Sequence, residues 1–171
     1  MRAKLLYMKK LFFLAGTVII MVACNQPTGK TETTTTFSLD SVKAAIAASN
    51  NSMNEAVEKG DSTLFVSGYA SDGCVMPDGG GPKMCGAAGL NKFFGMVRQM
   101  GVTSIKLATT EVTGGKELVA EEGTYELLVG GKAVDKGKYI VTWKPENGVW
   151  KKHRDIWNSE MPPAPMDPAK K

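Results

Sequence analysis

The sequence predicts an α+β domain in which helices come first and an antiparallel sheet follows. Two observations carry that expectation. Apolar residues recur at helical spacing up to Met100, and from Val102 onward the period shortens to two. The pairs Gly114-Gly115, Gly130-Gly131 and Asn147-Gly148 then divide the second half where tight primed turns would sit. Helices followed by a meander of strands form an α+β arrangement. With 171 residues the chain suits one domain. Hydrophobic residues at 43% and charged residues at 22% are ordinary globular proportions, which exclude a wholly disordered chain and a polytopic membrane protein.

The elements follow in order. Ser38 or Asp40 can cap a first helix, on which Val42, Ile46, Met53 and Val57 share a face and which Gly60 ends. Asp61 can cap a second, shorter helix through Leu64, Phe65 and Tyr69, and Ser71-Asp72-Gly73 reads as a break. If Asp78 to Gly81 forms a hairpin loop, Cys74 faces Cys85. Residues 86–100 read as a third helix, with Leu90, Phe93, Phe94 and Val97 on one side. Strands are expected at 102–112, 117–129, 133–144 and 149–157.

The amino terminus points to a compartment. Lys9-Lys10 precedes an uncharged, mostly apolar run over residues 11–23, too short to cross a bilayer comfortably and shaped like a secretory signal. Met8 offers an alternative start. Met21-Val22-Ala23-Cys24 resembles a bacterial lipoprotein signal, in which the Cys is acylated and becomes the first residue. Met21 and Val22 depart from the favoured residues of that motif, and a plain signal or an uncleaved anchor stays open. The expected organisation is a signal at 1–23, a tether at 24–36, a domain at 37–160 and a Pro-rich tail at 161–171. The implied location is the bacterial cell envelope, with lipid on Cys24 and the domain facing the periplasm.

Charge excludes one class of partner. Four of the 21 basic residues, Arg2, Lys4, Lys9 and Lys10, precede Cys24, and the 17 that remain match 17 acidic residues. That balance gives no electrostatic case for nucleic acid. Cys74 and Cys85 can form a disulfide in an oxidising compartment, or remain two buried thiols. With His153 the only histidine, they do not make a zinc ligand set. No metal or cofactor is expected. Gly-Gly-Lys occurs twice, at hairpin turns and without the rest of a phosphate loop.

A set of motifs carries a family resemblance. These are Asn50-Asn51-Ser52-Met53-Asn54, Tyr69-Ala70-Ser71-Asp72-Gly73-Cys74-Val75-Met76-Pro77, and Glu122-Gly123-Thr124-Tyr125. With them stand Asp135-Lys136-Gly137-Lys138-Tyr139, Trp143-Lys144, Gly148-Val149-Trp150-Lys151 and Arg154-Asp155-Ile156-Trp157-Asn158-Ser159. Together, over residues 37–163, they resemble the nuclear transport factor 2-like superfamily near its SnoaL-like and ketosteroid-isomerase-like branches. The resemblance implies a cone-shaped roll, with a strongly bent antiparallel sheet wrapped around three helices and enclosing a pocket. It also implies a homodimer formed through the sheet. Members include isomerases, cyclases, dehydratases and proteins without known activity, so fold does not decide function.

Turn geometry proposes which residues face the pocket. If the turns at Gly130-Gly131 and Asn147-Gly148 hold two residues each and no strand bulges, one face carries Tyr125, Leu127, Val134, Ile140, Thr142, His153, Asp155 and Trp157. The other carries Glu122, Thr124, Glu126, Tyr139, Val141, Trp143, Trp150, Lys152 and Arg154. The first face is mostly apolar with two titratable groups, as a ligand pocket should be. His153 and Asp155 are then the candidate proton-transfer pair, with Asp155 or His153 as general base; a structural contact is the alternative. Tyr69 and Asp72 are placed near the pocket mouth, and Tyr125, Thr142 and Trp157 complete the ligand-binding set. Read otherwise, Asp72 is a turn residue and Tyr69 a core aromatic. The expected functions are binding of a small, largely apolar molecule, an isomerase-, cyclase- or dehydratase-like reaction, or a dimeric interaction module.

Overall fold

The computed structural model describes residues 36–79 and 81–162. The lipid site at Cys24, the signal and nearly all of the tether and tail lie outside them. Three helices, α1 (Leu39–Lys59), α2 (Ser62–Ser67) and α3 (Gly86–Gln99), accompany six strands. The strands are β1 (Tyr69–Met76), β2 (Met84–Cys85), β3 (Ser104–Gly114), β4 (Val119–Val129), β5 (Lys132–Glu146) and β6 (Val149–Ser159). They form one open sheet in the order β2-β1-β6-β5-β4-β3. The sheet is mixed rather than wholly antiparallel, because β1 enters from the helical half and lies parallel to β6. The helices pack on one face of the sheet, giving an α+β cone.

Local chemistry sets the helix ends. Ser38 Oγ accepts from the Ser41 amide at 3.3 Å, and Asp61 Oδ1 accepts from the Leu64 amide at 2.9 Å. Gly60 ends α1 in the left-handed conformation, at φ 69°. Gly130-Gly131 and Asn147-Gly148 all have positive φ, as primed hairpin turns require. Gly114-Gly115 does not form such a turn. There β3 ends at Gly114, β4 starts at Val119, and Gly115 N–H donates to Leu118 O across a longer loop. Tyr69 is not the end of α2 but the first residue of β1, and Ser71-Asp72-Gly73 lies inside that strand. Cys74 pairs with Cys85 across β1 and β2, and the two are joined by a disulfide.

Two glycines shape the inner face of the sheet. Gly123 in β4 sits opposite Tyr139 in β5, and Gly137 in β5 sits opposite Tyr125 in β4. A Cβ on Gly123 would lie 2.4 Å from the Tyr139 hydroxyl oxygen, and one on Gly137 would lie 2.9 Å from Tyr125 Cε1. Each tyrosine ring therefore lies flat across the glycine facing it. The hydroxyls are carried sideways to Glu121 and Asp135 as a result.

The apolar interior divides in two. Phe65, Leu90, Phe94 and Val75 centre one cluster under α2 and α3. Val42, Ile46, Tyr139 and Trp143 centre the other, between α1 and the sheet. Leu127 and Trp157 pack against both clusters without being fully buried. Between the clusters the packing is incomplete.

Candidate functional site

The site exists because β6 carries one extra residue. Near the Asn147-Gly148 turn, Trp143 pairs with Lys152. The next pairs are Thr142 with Arg154 and Val141 with Asp155, so His153 has no partner in β5. Such a bulge shifts the alternation by one position. Lys152 and Asp155, three apart, consequently both face the helices, while His153 and Arg154 face away. A second bulge at Val134 shifts β5 against β4 in the same way.

The inner face borders a cavity of about 100 Å³. Its helical wall comes from α1, α2 and α3 through Met53, Phe65, Phe93 and Val97, and its sheet wall includes Leu127 and Trp157. Aromatic rings crowd this lining: Phe93 lies 5.4 Å from Trp157 and Phe65 lies 5.3 Å from Tyr69, centroid to centroid. The polar contribution is confined to a few groups, including Tyr69, Lys152, Asp155, Tyr139 and Asn50. Apolar walls with few convergent polar groups are the usual make-up of a small-molecule site.

A buried carboxylate organises one edge of this region. Glu121 is wholly buried. Its Oε1 accepts from Asn50 Nδ2 at 2.8 Å, Thr109 Oγ1 at 2.7 Å and the Tyr139 hydroxyl at 2.8 Å. Its Oε2 accepts from Trp143 Nε1 at 3.0 Å. Four donors from α1, β3 and β5 thus converge on one side chain of β4 and tie helix to sheet. Burial, and secondarily the Glu121 charge, push the Tyr139 hydroxyl above the ordinary phenol range. It stays protonated and continues to donate.

Asp155 is the second buried carboxyl group of this region. Its Oδ2 accepts from the Tyr69 hydroxyl at 2.7 Å. Its Oδ1 takes no hydrogen bond among the described residues, yet no fully buried side-chain oxygen or nitrogen there lacks a partner. Oδ1 therefore keeps accessible surface, and Asp155 lines the cavity. Burial raises its pKa to about 6, against the opposing pull of the Tyr69 hydrogen bond and the Lys152 charge. Burial also raises Tyr69 well above the phenol range, with Asp155 adding to the effect. Lys152 is 1% exposed and sits with its Nζ 4.5 Å from the centre of the Trp143 ring. Its pKa is lowered by burial to about 8.

Solved structures share this architecture. A protein of unknown function with a cystatin-like fold from Nostoc punctiforme superposes with a TM-score of 0.62, at 16% identity over 76% of this chain and 97% of that one. A ketosteroid isomerase-like protein from Erwinia carotovora atroseptica gives 0.58, at 18% identity over 70% and 96%. The fold is that of the nuclear transport factor 2-like superfamily. A hexachlorocyclohexane dehydrochlorinase, LinA-type3, from Novosphingobium barchaimii shows the same nuclear transport factor 2-like fold at TM-score 0.56, with 17% identity over 71% and 88%. No family model and no curated protein sequence matches the chain.

Within this nuclear transport factor 2-like frame the proposed site residues separate. Asp155, Tyr69, Tyr125 and Trp157 line the cavity. His153 and Asp155 do not form a pair, because the bulge turns His153 to the opposite face. There its Nε2 lies 3.3 Å from Asp72 Oδ2. Burial, with Arg154 next to it, holds the His153 pKa below its ordinary value, so at neutral pH this contact is not an ion pair. Asp72 is also on the outer side, 2.6 Å from Lys144 Nζ, and that interaction draws its pKa down. Thr142, half-buried, faces outward with its Oγ1 accepting from the Arg154 amide, and Val134 and Ile140 are exposed. Tyr139, Val141 and Lys152, assigned from the turns to the other face, line the cavity instead. Sequence reasoning missed Glu121 altogether.

The network around Glu121 should outweigh any outer-face contact in stability. Glu121→Gln replaces an acceptor with an amide that must turn a donor toward either Trp143 or the Asn50, Thr109 and Tyr139 donors. Urea denaturation should show a loss of roughly 2–3 kcal/mol. Thr142→Val on the outer face should cost less than about 1 kcal/mol. Equal effects would contradict the network.

Proposed function

We propose that the domain binds a small, largely apolar molecule in the cavity between the helices and the sheet. One observation carries this reading. Aromatic and aliphatic walls enclose the space, and Asp155, which lines it, has one carboxylate oxygen without a partner among the described residues. Such a site takes a hydrophobic body and one hydrogen-bonding or acidic position on it. A general-base reaction is the second reading. A carboxylate with a pKa near 6 is partly protonated near neutrality and is better suited to take a proton from carbon than an ordinary one. The likeness in fold to a ketosteroid isomerase-like protein and to a dehydrochlorinase supports this at the level of fold alone.

The remaining expectations belong to the same proposal. Acylation of Cys24 would hold the domain at the cell envelope through the Thr-rich segment that follows. The outer sheet face, where Val134, Ile140 and Ile156 are each about half exposed, suits contact with a second copy.

Three measurements test these statements. Toluene titrated into the protein should shift the backbone NMR signals of Tyr69, Val97 and Leu127, and Val97→Trp, which fills the cavity, should abolish the shifts. Absence of any shift, or unchanged shifts in the variant, would remove the cavity as the site. For the second reading, 2-tetralone in heavy water should exchange its acidic carbon-bound protons faster with the protein present. The rate should climb with pH through about 6 as Asp155 ionises. Asp155→Asn should slow the exchange by about 10²–10⁴-fold; an unchanged rate would sink Asp155 as the base. Cys24→Ser should release the chain from the membrane fraction of a bacterial host, and retention there would contradict the anchor.

A further inference from the structure

The cavity wall holds one group that neither reading uses. Lys152 is 1% exposed and borders the cavity alongside Tyr69 and Asp155. Buried ammonium groups ordinarily sit against a carboxylate. Lys152 makes no ion pair with any described residue. Its Nζ donates to Ser49 Oγ at 2.9 Å and otherwise faces aromatic rings, 4.5 Å from the centre of Trp143 and 5.9 Å from that of Tyr69. Neither contact fixes the charge as a salt bridge would. The environment is that of an amine shielded from bulk water against aromatic rings and bordering the cavity. Lysines desolvated in this manner serve as nucleophiles toward carbonyl carbon.

We propose that Lys152 captures small apolar aldehydes or ketones as an imine. The inference deepens the binding reading and rests on it, since the carbonyl compound must occupy the same cavity. The neutral amine attacks the carbonyl carbon, forming a carbon–nitrogen bond while the carbonyl π electrons move to oxygen. That oxygen takes up a proton and the nitrogen loses one, giving a carbinolamine. The hydroxyl then leaves as water with a second proton, the nitrogen lone pair closes the C=N bond to give an iminium, and loss of its N–H proton returns the second proton and leaves the imine. Nothing is oxidised or reduced, and water is the only by-product. Asp155 is the neighbouring group in the wall able to accept and return the protons, with Tyr69 holding its other oxygen. Burial has already lowered the proton affinity of Lys152, leaving a larger neutral fraction at physiological pH than an exposed lysine has.

Reductive trapping on the full chain tests this. Benzaldehyde and sodium cyanoborohydride are added at neutral pH, and benzylated lysines are located by peptide mass. Lys152 should be labelled about tenfold or more faster than exposed lysines such as Lys43, Lys92 and Lys116. Benzyl alcohol, which cannot form an imine, should protect Lys152 and leave the exposed lysines unaffected. Lys152→Met should lose only the fast label; if that variant does not fold, the wild-type map and the protection still decide. Labelling that merely follows exposure, while benzyl alcohol still shifts cavity NMR signals, would overturn the imine and leave the binding reading intact. If benzyl alcohol causes no shifts and Lys152 is not preferentially labelled, both fall.

Discussion

The bulge at His153 is the constraint on which the site depends. Along a regular strand, side chains three apart point to opposite faces. By leaving His153 outside the ladder, β6 turns Lys152 and Asp155 to the same side and sends His153 and Arg154 to the other. The two halves of one strand thereby acquire separate roles. The inner half supplies an acid and an amine to an aromatic cavity. The outer half joins Asp72 and Lys144 in a charged cluster on the sheet surface. Arg154 closes that cluster by donating to the backbone carbonyls of Asp72 and His153.

Burying Glu121, Lys152 and Asp155 opposes folding, because each must leave water. Glu121 offsets its share through four hydrogen bonds that also fix α1 on the sheet. Asp155 offsets less, since Tyr69 satisfies only one of its oxygens. The folded state keeps the Asp155 proton up to about pH 6, whereas the unfolded chain releases it near 3.8. Between those values the folded state binds more protons, so this group's contribution to stability falls as pH rises through the window. Above it the penalty persists in full. Buried groups that weaken a fold in this way are characteristic of functional sites.

Much of the scaffold was legible from composition. Ser38, Asp61 and Gly60 announce the helix ends, and the positive-φ turns at Gly130-Gly131 and Asn147-Gly148 need the residues they have. The face assignment failed for a physical reason. A bulge adds one residue without a composition of its own, and two of them, at Val134 and His153, exchanged inner and outer residues along β5 and part of β6. A partial signal was present: alternation through residues 150–155 puts a charged side chain on the buried face in either register, Lys152 in one and Lys151 or Asp155 in the other. Glu121 gave no such warning, since its four partners come from three distant segments. Tyr69 was misplaced because Ser71-Asp72-Gly73 has the composition of a turn, whereas in the structure these residues form an irregular stretch inside β1, between the Tyr69–Lys152 and Cys74–Arg154 pairs with β6.

The central question is whether Asp155 belongs to a cavity wall or to the surface. Carbon NMR of its side-chain carboxyl, assigned by comparison with Asp155→Asn and followed across pH, reads this directly. The account predicts a midpoint near 6. A midpoint at the ordinary carboxylate value of 3.8 would place the group in water and contradict it.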